Sequence, residues 1–498
     1  MTQKMNSELQ FNNTYLEQFP DLGSLVKPTP LANPEWVHIS EETCDLLQVS
    51  KQRAASTEFL NWFAGSYEAK GSRPFAQKYT GHQFGQYNPD LGDGRGLLLG
   101  EIETDNGRFD LHVKGAGQTP YSRFGDGRAV LRSSIREYLA SEALFHLGIP
   151  TSRALGVFKS SEQVQRETLE QGAALIRVCE SHVRFGHFEY AFYQNDETLT
   201  RRLVDYTVRQ VLPQDAPEIQ KLNKQSGAPE QAYAMFKFVI RTTAEMVAKW
   251  QAFGFCHGVM NTDNMSILGI TFDYGPYGFL DEYNPKHICN HSDYGGRYAF
   301  DEQPGIALWN LNALGYALSL LLSKEQITEL LRQFEPILLS RYSELMRQKL
   351  GLKTKRSDDR ILLAELLELM AADKRDYTNT FRLLSNFESM DKNGDGIIDH
   401  FINRTAAKNW LNKYQRRLSL ETVTTDARQT KMKRVNPKFI LRNYLAQQAI
   451  EAAERGDNSE LDQLMTILKR PFAEQTEFDD YAKQPPDWSK ELTVSCSS

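Results

Sequence analysis

The sequence contains few cysteines, and their positions argue against a cysteine-based scaffold. Five cysteines are spread over 498 residues, and no two of them have the C-x-x-C spacing that is typical of zinc or redox motifs. A framework of disulfides is therefore excluded, and a reducing, cytoplasmic location is expected.

Long hydrophobic runs are also absent. The first 19 residues lack the apolar core of a secretory signal. The longest apolar stretch, residues 306–322, is too short to span a bilayer and contains Trp309, Asn310 and Gly315. We expect this stretch to form a buried helix, and we expect no membrane association.

The chain has no excess of basic residues. Its 58 Lys and Arg are outnumbered by 64 Asp and Glu, so the formal charge of −6 offers no general attraction to nucleic acid. A composition that is 40% hydrophobic and 24% charged can supply a large core, which excludes a mainly disordered chain. At roughly 150 residues per domain, the length fits about three units or one large two-lobed enzyme.

The pattern of apolar residues changes near residue 200. Before residue 200, short apolar runs at 96–103 and 108–114 flank an Asn-Gly turn and predict a hairpin. A helix is expected at 129–147. A strand pair at 154–159 and 173–180 is expected to surround a polar insert at 160–171. After residue 200, longer periods predict helices at 199–211, 231–253, 305–322, 324–350, 359–372, 377–387, 404–418 and 437–455. We therefore predict an α+β fold with a β-rich N-lobe (1–180) and a larger helical C-lobe (181–498).

The tetrapeptide GDGR occurs twice in the N-lobe. The first copy, which includes Gly92, Gly94 and Arg95, opens the predicted hairpin, where glycines let backbone amides approach an anion. The second, which includes Asp126 and Gly127, precedes the predicted helix, where free backbone N–H groups and the helix dipole form an anion site. Taken alone, the first copy is better explained as a simple tight turn, and helix capping by Asp126 explains the second at least as well.

A lysine and a glutamate in this lobe form a candidate ion pair. Lys114 ends a predicted strand, and Glu137 lies in the following helix above a row of small and apolar residues. A carboxylate in such surroundings requires a cation, and a lysine fixed in this way can present its ammonium group to phosphates. An unpaired surface lysine and glutamate remain the alternative.

The segment 257–275 carries the strongest catalytic signal. His257 is followed seven residues later by Asn264, and nine residues after that by Asp273 in an Asp-Tyr-Gly sequence. This order resembles the catalytic and metal loops of the protein-kinase fold, where an Asn and an Asp hold divalent metal ions. The usual catalytic Asp is replaced by Val259, which cannot accept a proton, and Asp263 is the nearest substitute.

Longer strings identify a narrower family. YTGHQFGQY, LGDGRGLLLGE, FGFCHGVMNTDNMSILG and TFDYGPYGFLD closely resemble selenoprotein O and its bacterial cysteine-containing relatives, from about residue 28 to the C-terminus. The resemblance implies a kinase-like fold that transfers AMP from ATP, or UMP from UTP, to protein hydroxyls, with the nucleotide inverted relative to that in a kinase. It also implies Mg²⁺ or Mn²⁺ and protein substrates that offer Ser, Thr or Tyr. We expect a monomer.

The resemblance also assigns roles to individual residues. It implies nucleotide contacts by Gly92, Gly94, Arg95, Lys114, Asp126, Gly127, Arg177, Arg184 and Asp273, metal ligation by Asn264 and Asp273, and Asp263 as the proton acceptor. Without the resemblance, pairing of Arg177 and Arg184 with Glu180 or Glu189 would be the favoured interpretation. A phosphotransferase and a catalytically silent nucleotide-binding scaffold are the alternative functions.

Two further features lie outside the nucleotide motifs. Residues 391–399 match the start of a calcium-binding EF-hand loop, but Ile402 occupies the twelfth position and cannot ligate calcium, so a polar turn between helices is the better interpretation. Cys496 occupies the position of selenocysteine in several eukaryotic family members. A disulfide between Cys289 and Cys496 is one hypothesis for these thiols, and two free thiols are the other.

Overall fold

An antiparallel sheet dominates the N-terminal part of the chain. The computed structural model describes residues 9–494. Ten strands form this sheet, and two more form a small separate one. The strands are β1 (Phe11–Asn12), β2 (Gly23–Leu25), β3 (Glu35–Ile39), β4 (Phe75–Gln83), β5 (Gln86–Gly92), β6 (Gly96–Thr104), β7 (Gly107–Lys114), β8 (Ala129–Val130), β9 (Arg153–Gln165), β10 (Leu169–Cys179), β11 (Phe255–Cys256) and β12 (Gly278–Phe279).

The main path through the large sheet is β2-β4-β6-β7-β10-β9-β3, and β1, β5 and β8 pair with β6, β4 and β10. The predicted hairpin is confirmed as β6 and β7, which are joined at Asp105 and Asn106. The predicted insert at 160–171 is instead mostly strand, because β9 and β10 continue into it as one long hairpin.

Helices make up most of the chain after β10. In chain order the α-helices are α1 (Thr14–Gln18), α2 (Glu41–Leu46), α3 (Lys51–Ala54), α4 (Thr57–Phe63), α5 (Leu131–His146), α6 (Phe185–Tyr193), α7 (Glu197–Tyr206), α8 (Ala228–Phe253), α9 (Gln303–Ala317), α10 (Lys324–Leu331), α11 (Phe334–Lys349), α12 (Asp359–Ala372), α13 (Tyr377–Leu384), α14 (Asp395–Ile398), α15 (Arg404–Leu418), α16 (Thr425–Lys433), α17 (Asn443–Glu454) and α18 (Ser459–Leu468). Single turns of 3₁₀- or π-helix extend or connect several of them.

The sheet lies between two apolar layers because its side chains alternate between faces. On one face Leu97, Leu111 and Val113 join a cluster with Leu47 and Phe59 from the segment of α2–α4. On the other face, Leu98 and Leu175 belong to the main core, which includes α5 and most of the helical C-terminal part.

The helix α5 is buried along most of its length. It packs on β9 and β10, and α17 and α18 from the end of the chain cover it from outside. Arg136 on α5 donates from Nη2 to the carbonyl of Tyr277 at 2.8 Å, and the Tyr277 hydroxyl donates to the carbonyl of Arg136 at 2.7 Å. These bonds fix α5, and with it Glu137, against the segment that follows Asp273.

Several predicted helix limits need correction. The helix predicted at 324–350 is divided into α10 and α11, and Pro336 lies in the first turn of α11, where its missing N–H costs least. The helix predicted at 437–455 begins only at Asn443. Helix α6 was not predicted, although it positions part of the site described below.

The EF-hand-like segment is mostly helical, with a kink at Asn393. Met390–Gly394 form a π-helical turn that continues into α14, so the backbone does not form a calcium-binding loop. A kinked helical segment thus replaces the polar turn that was predicted between helices, and the absence of calcium binding stays a prediction.

The α+β class, with a sheet-rich N-terminal part and a helical C-terminal part, is confirmed. The sheet's last strand ends at Cys179, and the division into domains at residue 180 stays a prediction. Within residues 9–494, none of the helices combines the length and the apolar character that crossing a bilayer requires.

We predict different stability costs for two glycines that follow helices in the left-handed conformation. Gly254 (φ 71°) follows α8, and a Cβ there would lie 2.9 Å from the ring of Tyr377, whereas a Cβ at Gly456 (φ 86°) after α17 would meet nothing within 4 Å. Gly456→Ala should cost about 1 kcal/mol of unfolding free energy from backbone strain alone. Gly254→Ala should cost at least about 1 kcal/mol more because of overpacking. Urea denaturation of both variants measures their free energies of unfolding. Equal costs would contradict the close contact between Gly254 and the ring of Tyr377.

Candidate active site

A cleft of about 390 Å³ lies between residues of the strands β4–β7 and β10 and the segment that carries Asp263 and Asp273. The strands, the two GDGR loops and the segment around Asp263 all contribute to its walls. The predicted residues in its lining are Gly92, Gly94, Arg95, Lys114, Asp126, Gly127, Arg177, Arg184, Asp263 and Asp273.

The inner wall of the cleft is an ion-pair network built on two neighbouring strands. Lys114 on β7 and Arg177 on β10 are brought together because these strands pair, with Lys114 opposite Leu175. Glu137 on α5 binds both cations, through a short contact with Lys114 Nζ and through Arg177 Nη2 at 2.5 Å. The predicted Lys114–Glu137 pair therefore forms, and it is buried.

Asp273 extends this network across the cleft. Its Oδ1 accepts from Arg177 Nη2 at 2.8 Å, its Oδ2 accepts from Arg184 Nη1, and Lys114 Nζ lies 4.0 Å away. Burial opposes ionisation of Asp273, but Arg177, Arg184 and Lys114 outweigh it and hold the pKa of this carboxyl well below its usual range. Asp273 also has a φ of 60°, which is uncommon for a residue other than glycine and is often found at functional sites.

The structure corrects the alternative partners of the two arginines. Arg184 precedes α6 and donates to the carbonyl of Asp263 at 2.9 Å as well as to Asp273. Glu189 is instead occupied by Thr262, whose hydroxyl donates to it at 2.8 Å, and by His82. Pairing of Arg177 and Arg184 with Glu180 or Glu189 is therefore wrong.

His257 joins the segment that carries Asp263 to the segment that carries Asp273. This histidine is buried, which lowers its pKa, and its Nε2–H donates to the carbonyl of Phe272 at 3.2 Å, directly before Asp273. Asn264 donates from Nδ2 to the carbonyl of Val259 at 3.1 Å. The amide nitrogen of Asn264 therefore has a hydrogen-bond partner, and its amide oxygen is the atom available as a ligand.

Asp263 is buried, with 8% of its surface exposed. Its Oδ2 accepts a hydrogen bond from Gln83 Nε2 at 3.2 Å, while its Oδ1 has no hydrogen-bond partner among residues 9–494. Burial raises the pKa of Asp263 to about 7, and the nearby Arg184 offsets this effect only in part. A carboxyl group with this pKa can both accept and hold a proton near neutral pH.

The first GDGR copy contributes a cation to the cleft. Within the described part of the chain, the guanidinium of Arg95 makes no hydrogen bond or ion pair, in contrast to Lys114, Arg177 and Arg184. Close packing also requires a glycine beside Arg95, because a Cβ at Gly92 would lie 2.6 Å from the ring of Tyr121. The copy thus forms a tight turn and also supplies a guanidinium that interacts with Glu137 and Asp273 only at longer range.

The second GDGR copy differs from both sequence-based explanations. The two-residue strand β8 separates it from α5, whose N-cap Val130 makes no side-chain capping bond, so neither helix capping nor a helix N-terminus applies. Asp126 instead forms two hydrogen bonds with Arg166, at 2.8 and 3.0 Å. A Cβ at Gly127 would lie 2.1 Å from the backbone of Gly117, so this position requires glycine.

Several residues of the cleft were missed by the sequence analysis. Asp93 lies inside the first GDGR copy, and Tyr79 and Gln83 lie inside the string YTGHQFGQY, so the motifs contained them without indicating a role. Arg166 comes from the tip of the β9–β10 hairpin and carried no sequence signal. In the described part of the chain, Asn264 is the one predicted nucleotide or metal residue that does not line the cleft.

The chain is similar to known proteins over most of its length. The profile of the family described as "Protein adenylyltransferase SelO" matches residues 5–469. The chain belongs to this family. Proteins named "Protein nucleotidyltransferase YdiU" are similar to it along almost their whole length. The relative from Photobacterium profundum is 50% identical over 513 residues, covering 99% of this chain and 100% of the relative. The relative from Vibrio parahaemolyticus is 52% identical over 482 residues, covering 95% of this chain and 96% of the relative.

Membership of the SelO family confirms the resemblance found in the sequence, but the cysteine pair stays a prediction. Cys289 is buried near the metal loop, and Cys496 lies outside the described residues. The last described residue, Val494, accepts a hydrogen bond through its carbonyl from the backbone N–H of His291 at 2.8 Å.

We predict that Glu137 is needed for stability as well as for the site. Glu137→Gln removes the carboxylate that neutralises Lys114 and Arg177, and uncompensated buried charges typically cost about 3–5 kcal/mol. The control Glu197→Gln breaks an exposed pair with Arg201, which should cost less than about 1 kcal/mol. Chemical denaturation of the two variants compares the costs, and a Glu137 variant as stable as the control would argue against the network.

We also predict that ionisation of Asp263 destabilises the metal-free protein. Its folded-state pKa of about 7 exceeds the unfolded value of about 3.9, so stability is lost as the pH rises between these values. Asp263→Asn should be more stable than the wild type at pH 8 by at least about 1 kcal/mol, with the difference disappearing towards pH 4. Denaturation of both proteins in EDTA at several pH values measures the difference in their free energies of unfolding. A difference that does not depend on pH would contradict the raised pKa of Asp263.

Proposed function

We propose that this cleft transfers AMP from ATP to hydroxyl groups of proteins and releases pyrophosphate. The chain is a member of a protein adenylyltransferase family. The observation that best supports the assignment of the site is the joint lining of one cleft by Arg95, Lys114, Arg177 and Arg184 together with the carboxyl groups of Asp263 and Asp273.

The four cations match the charge of the nucleotide. A triphosphate is strongly anionic, and in nucleotidyl transfer the leaving group is pyrophosphate, which carries more charge than a single phosphoryl group. Guanidinium groups bind phosphate oxygens in a bidentate manner and stabilise charge that develops on the leaving group. Arg95 makes no hydrogen bond or ion pair in the described part of the chain, whereas Arg177 and Arg184 are prepositioned by Asp273.

Asp263 is the proposed proton acceptor. It takes the proton of the acceptor hydroxyl while that oxygen forms a bond to the α-phosphorus, and the bond from the α-phosphorus to the bridging oxygen breaks to release pyrophosphate. A positioned base typically contributes about 10²–10⁴ in rate. Val259, at the usual position of the kinase base, lies in the same loop but cannot perform this step.

Asn264 and Asp273 are the proposed ligands of the divalent metal ion. An amide oxygen and a carboxylate are suitable ligands for Mg²⁺ or Mn²⁺, and the bond from Asn264 Nδ2 to Val259 leaves the amide oxygen available. When bound, the ion neutralises charge on the phosphates and orients them. Asp273 would hold the ion with the carboxylate that also accepts hydrogen bonds from Arg177 and Arg184.

The nucleotide and the acceptor side chains are part of the same assignment. ATP is the preferred nucleotide, with UTP as the alternative, and the acceptors are Ser, Thr or Tyr side chains. A phosphotransferase would use the same cations but would transfer the γ-phosphoryl group, and a silent scaffold would transfer nothing.

We predict that protein becomes labelled by ATP carrying ³²P at the α position and not by ATP carrying it at the γ position. Casein and the enzyme's own chain serve as acceptors, with Mg²⁺ and Mn²⁺ tested separately and α-labelled UTP in parallel. Asp263→Ala should lower labelling about 10²–10⁴-fold because the base is lost, and Asp273→Ala should abolish it.

The matched control is Asp215→Ala, which removes an exposed carboxylate far from the cleft lining and should leave labelling unchanged. Label from the γ position alone would establish the phosphotransferase instead. Absence of any label, together with stabilisation of the wild type by ATP, would support the scaffold.

A further inference from the structure

The turn between β4 and β5 reaches from the sheet to the segment that carries Asp263. The backbone N–H of His82 donates to Thr262 Oγ1 at 2.7 Å, and the backbone N–H of Phe84 donates to Asn261 Oδ1 at 3.1 Å. The residues on both sides of Gln83 are thus bonded to the two residues that precede Asp263. This pairing fixes Gln83 beside the catalytic loop.

The approach of the two backbones is close. A Cβ at Gly81 would lie 3.0 Å from Thr262 Oγ1 and 3.1 Å from the backbone nitrogen of Asp263. Phe84 has a φ of 50°, and its N–H is also bonded to the hydroxyl of Tyr298 at 3.0 Å. The turn is therefore held in one conformation by contacts to the loop and to the segment after Asp273.

Gln83 supplies the side-chain hydrogen bond to the proposed base. Its Nε2 donates to Asp263 Oδ2 at 3.2 Å, and among residues 9–494 no other side chain donates to this carboxyl group. The orientation of the Gln83 amide is also fixed, because Asn88 Nδ2 donates to Gln83 Oε1 at 3.3 Å. Asn88 therefore directs the donor end of Gln83 towards Asp263.

We infer that Gln83 is a positioning residue that holds the carboxyl group of Asp263 in its productive orientation, and that Asn88 acts through Gln83. This inference rests on the proposed function. A catalytic group must be held within a fraction of an ångström of its productive position, and losing such a supporting contact typically costs about 10–100-fold in activity. The N-terminal sheet thereby contributes to base catalysis as well as to nucleotide binding.

The decisive variant is Gln83→Met, which has a similar length but cannot donate a hydrogen bond. We expect kcat for α-label transfer to casein to fall about 10–100-fold, while KM for ATP changes less than about twofold. A loss of general structure would change KM and thermal stability as well, so both are measured. The control Gln86→Ala alters an exposed residue of the same hairpin and should leave kcat unchanged.

A double-mutant cycle tests the role of Asn88. Asn88→Ala alone should lower kcat by less than Gln83→Met does, and it should cause no additional loss in the Gln83→Met background because it acts through Gln83. Additive losses would contradict the chain of contacts.

The failure of this inference can be distinguished from failure of the proposed function. If the wild type transfers α-label and Gln83→Met retains its kcat, the positioning role is wrong and the function stands. A change in KM for ATP without a change in kcat would also overturn the role. If the wild type transfers no α-label, the proposed function fails, and the inference fails with it.

Discussion

The buried ion pairs around Glu137 and Asp273 determine where everything else in the site lies. Two carboxylates and the cations Lys114, Arg177 and Arg184 are withdrawn from water together, and each charge has an opposite partner. Buried charges are tolerated only when they are paired in this way. The network therefore constrains β7, β10, α5 and the metal loop to a single mutual arrangement.

This constraint also explains how the cleft can receive an anionic nucleotide. Lys114, Arg177 and Arg184 are already desolvated and oriented by carboxylates, so little reorganisation would be needed for them to bind phosphates. Asp263 contrasts with Asp273 because it lacks a direct ion pair and keeps a raised pKa. Two aspartates in one cleft are thus suited to different tasks by their surroundings.

Much of the site could be predicted from local sequence patterns. The spacing of His257, Asn264 and Asp273 marked the two loops, and alternation along β7 placed Lys114 at the end of a strand. Contacts between distant segments were not visible in this way. The pair of Asp126 with Arg166 and the bond of Gln83 to Asp263 join residues 40 and 180 positions apart, and no periodicity records such distances.

By itself the sequence determined the α+β class, the family and the residue types that nucleotide chemistry requires, because these depend on composition, periodicity and long matching strings. Only the tertiary structure decided which charges neutralise one another, and it replaced Glu180 and Glu189 by Glu137 and Asp273 as the partners of the arginines. The physical reason is that pairing energies and pKa values depend on burial and on distances in space. Those quantities arise only when sheet, helix and loops pack together.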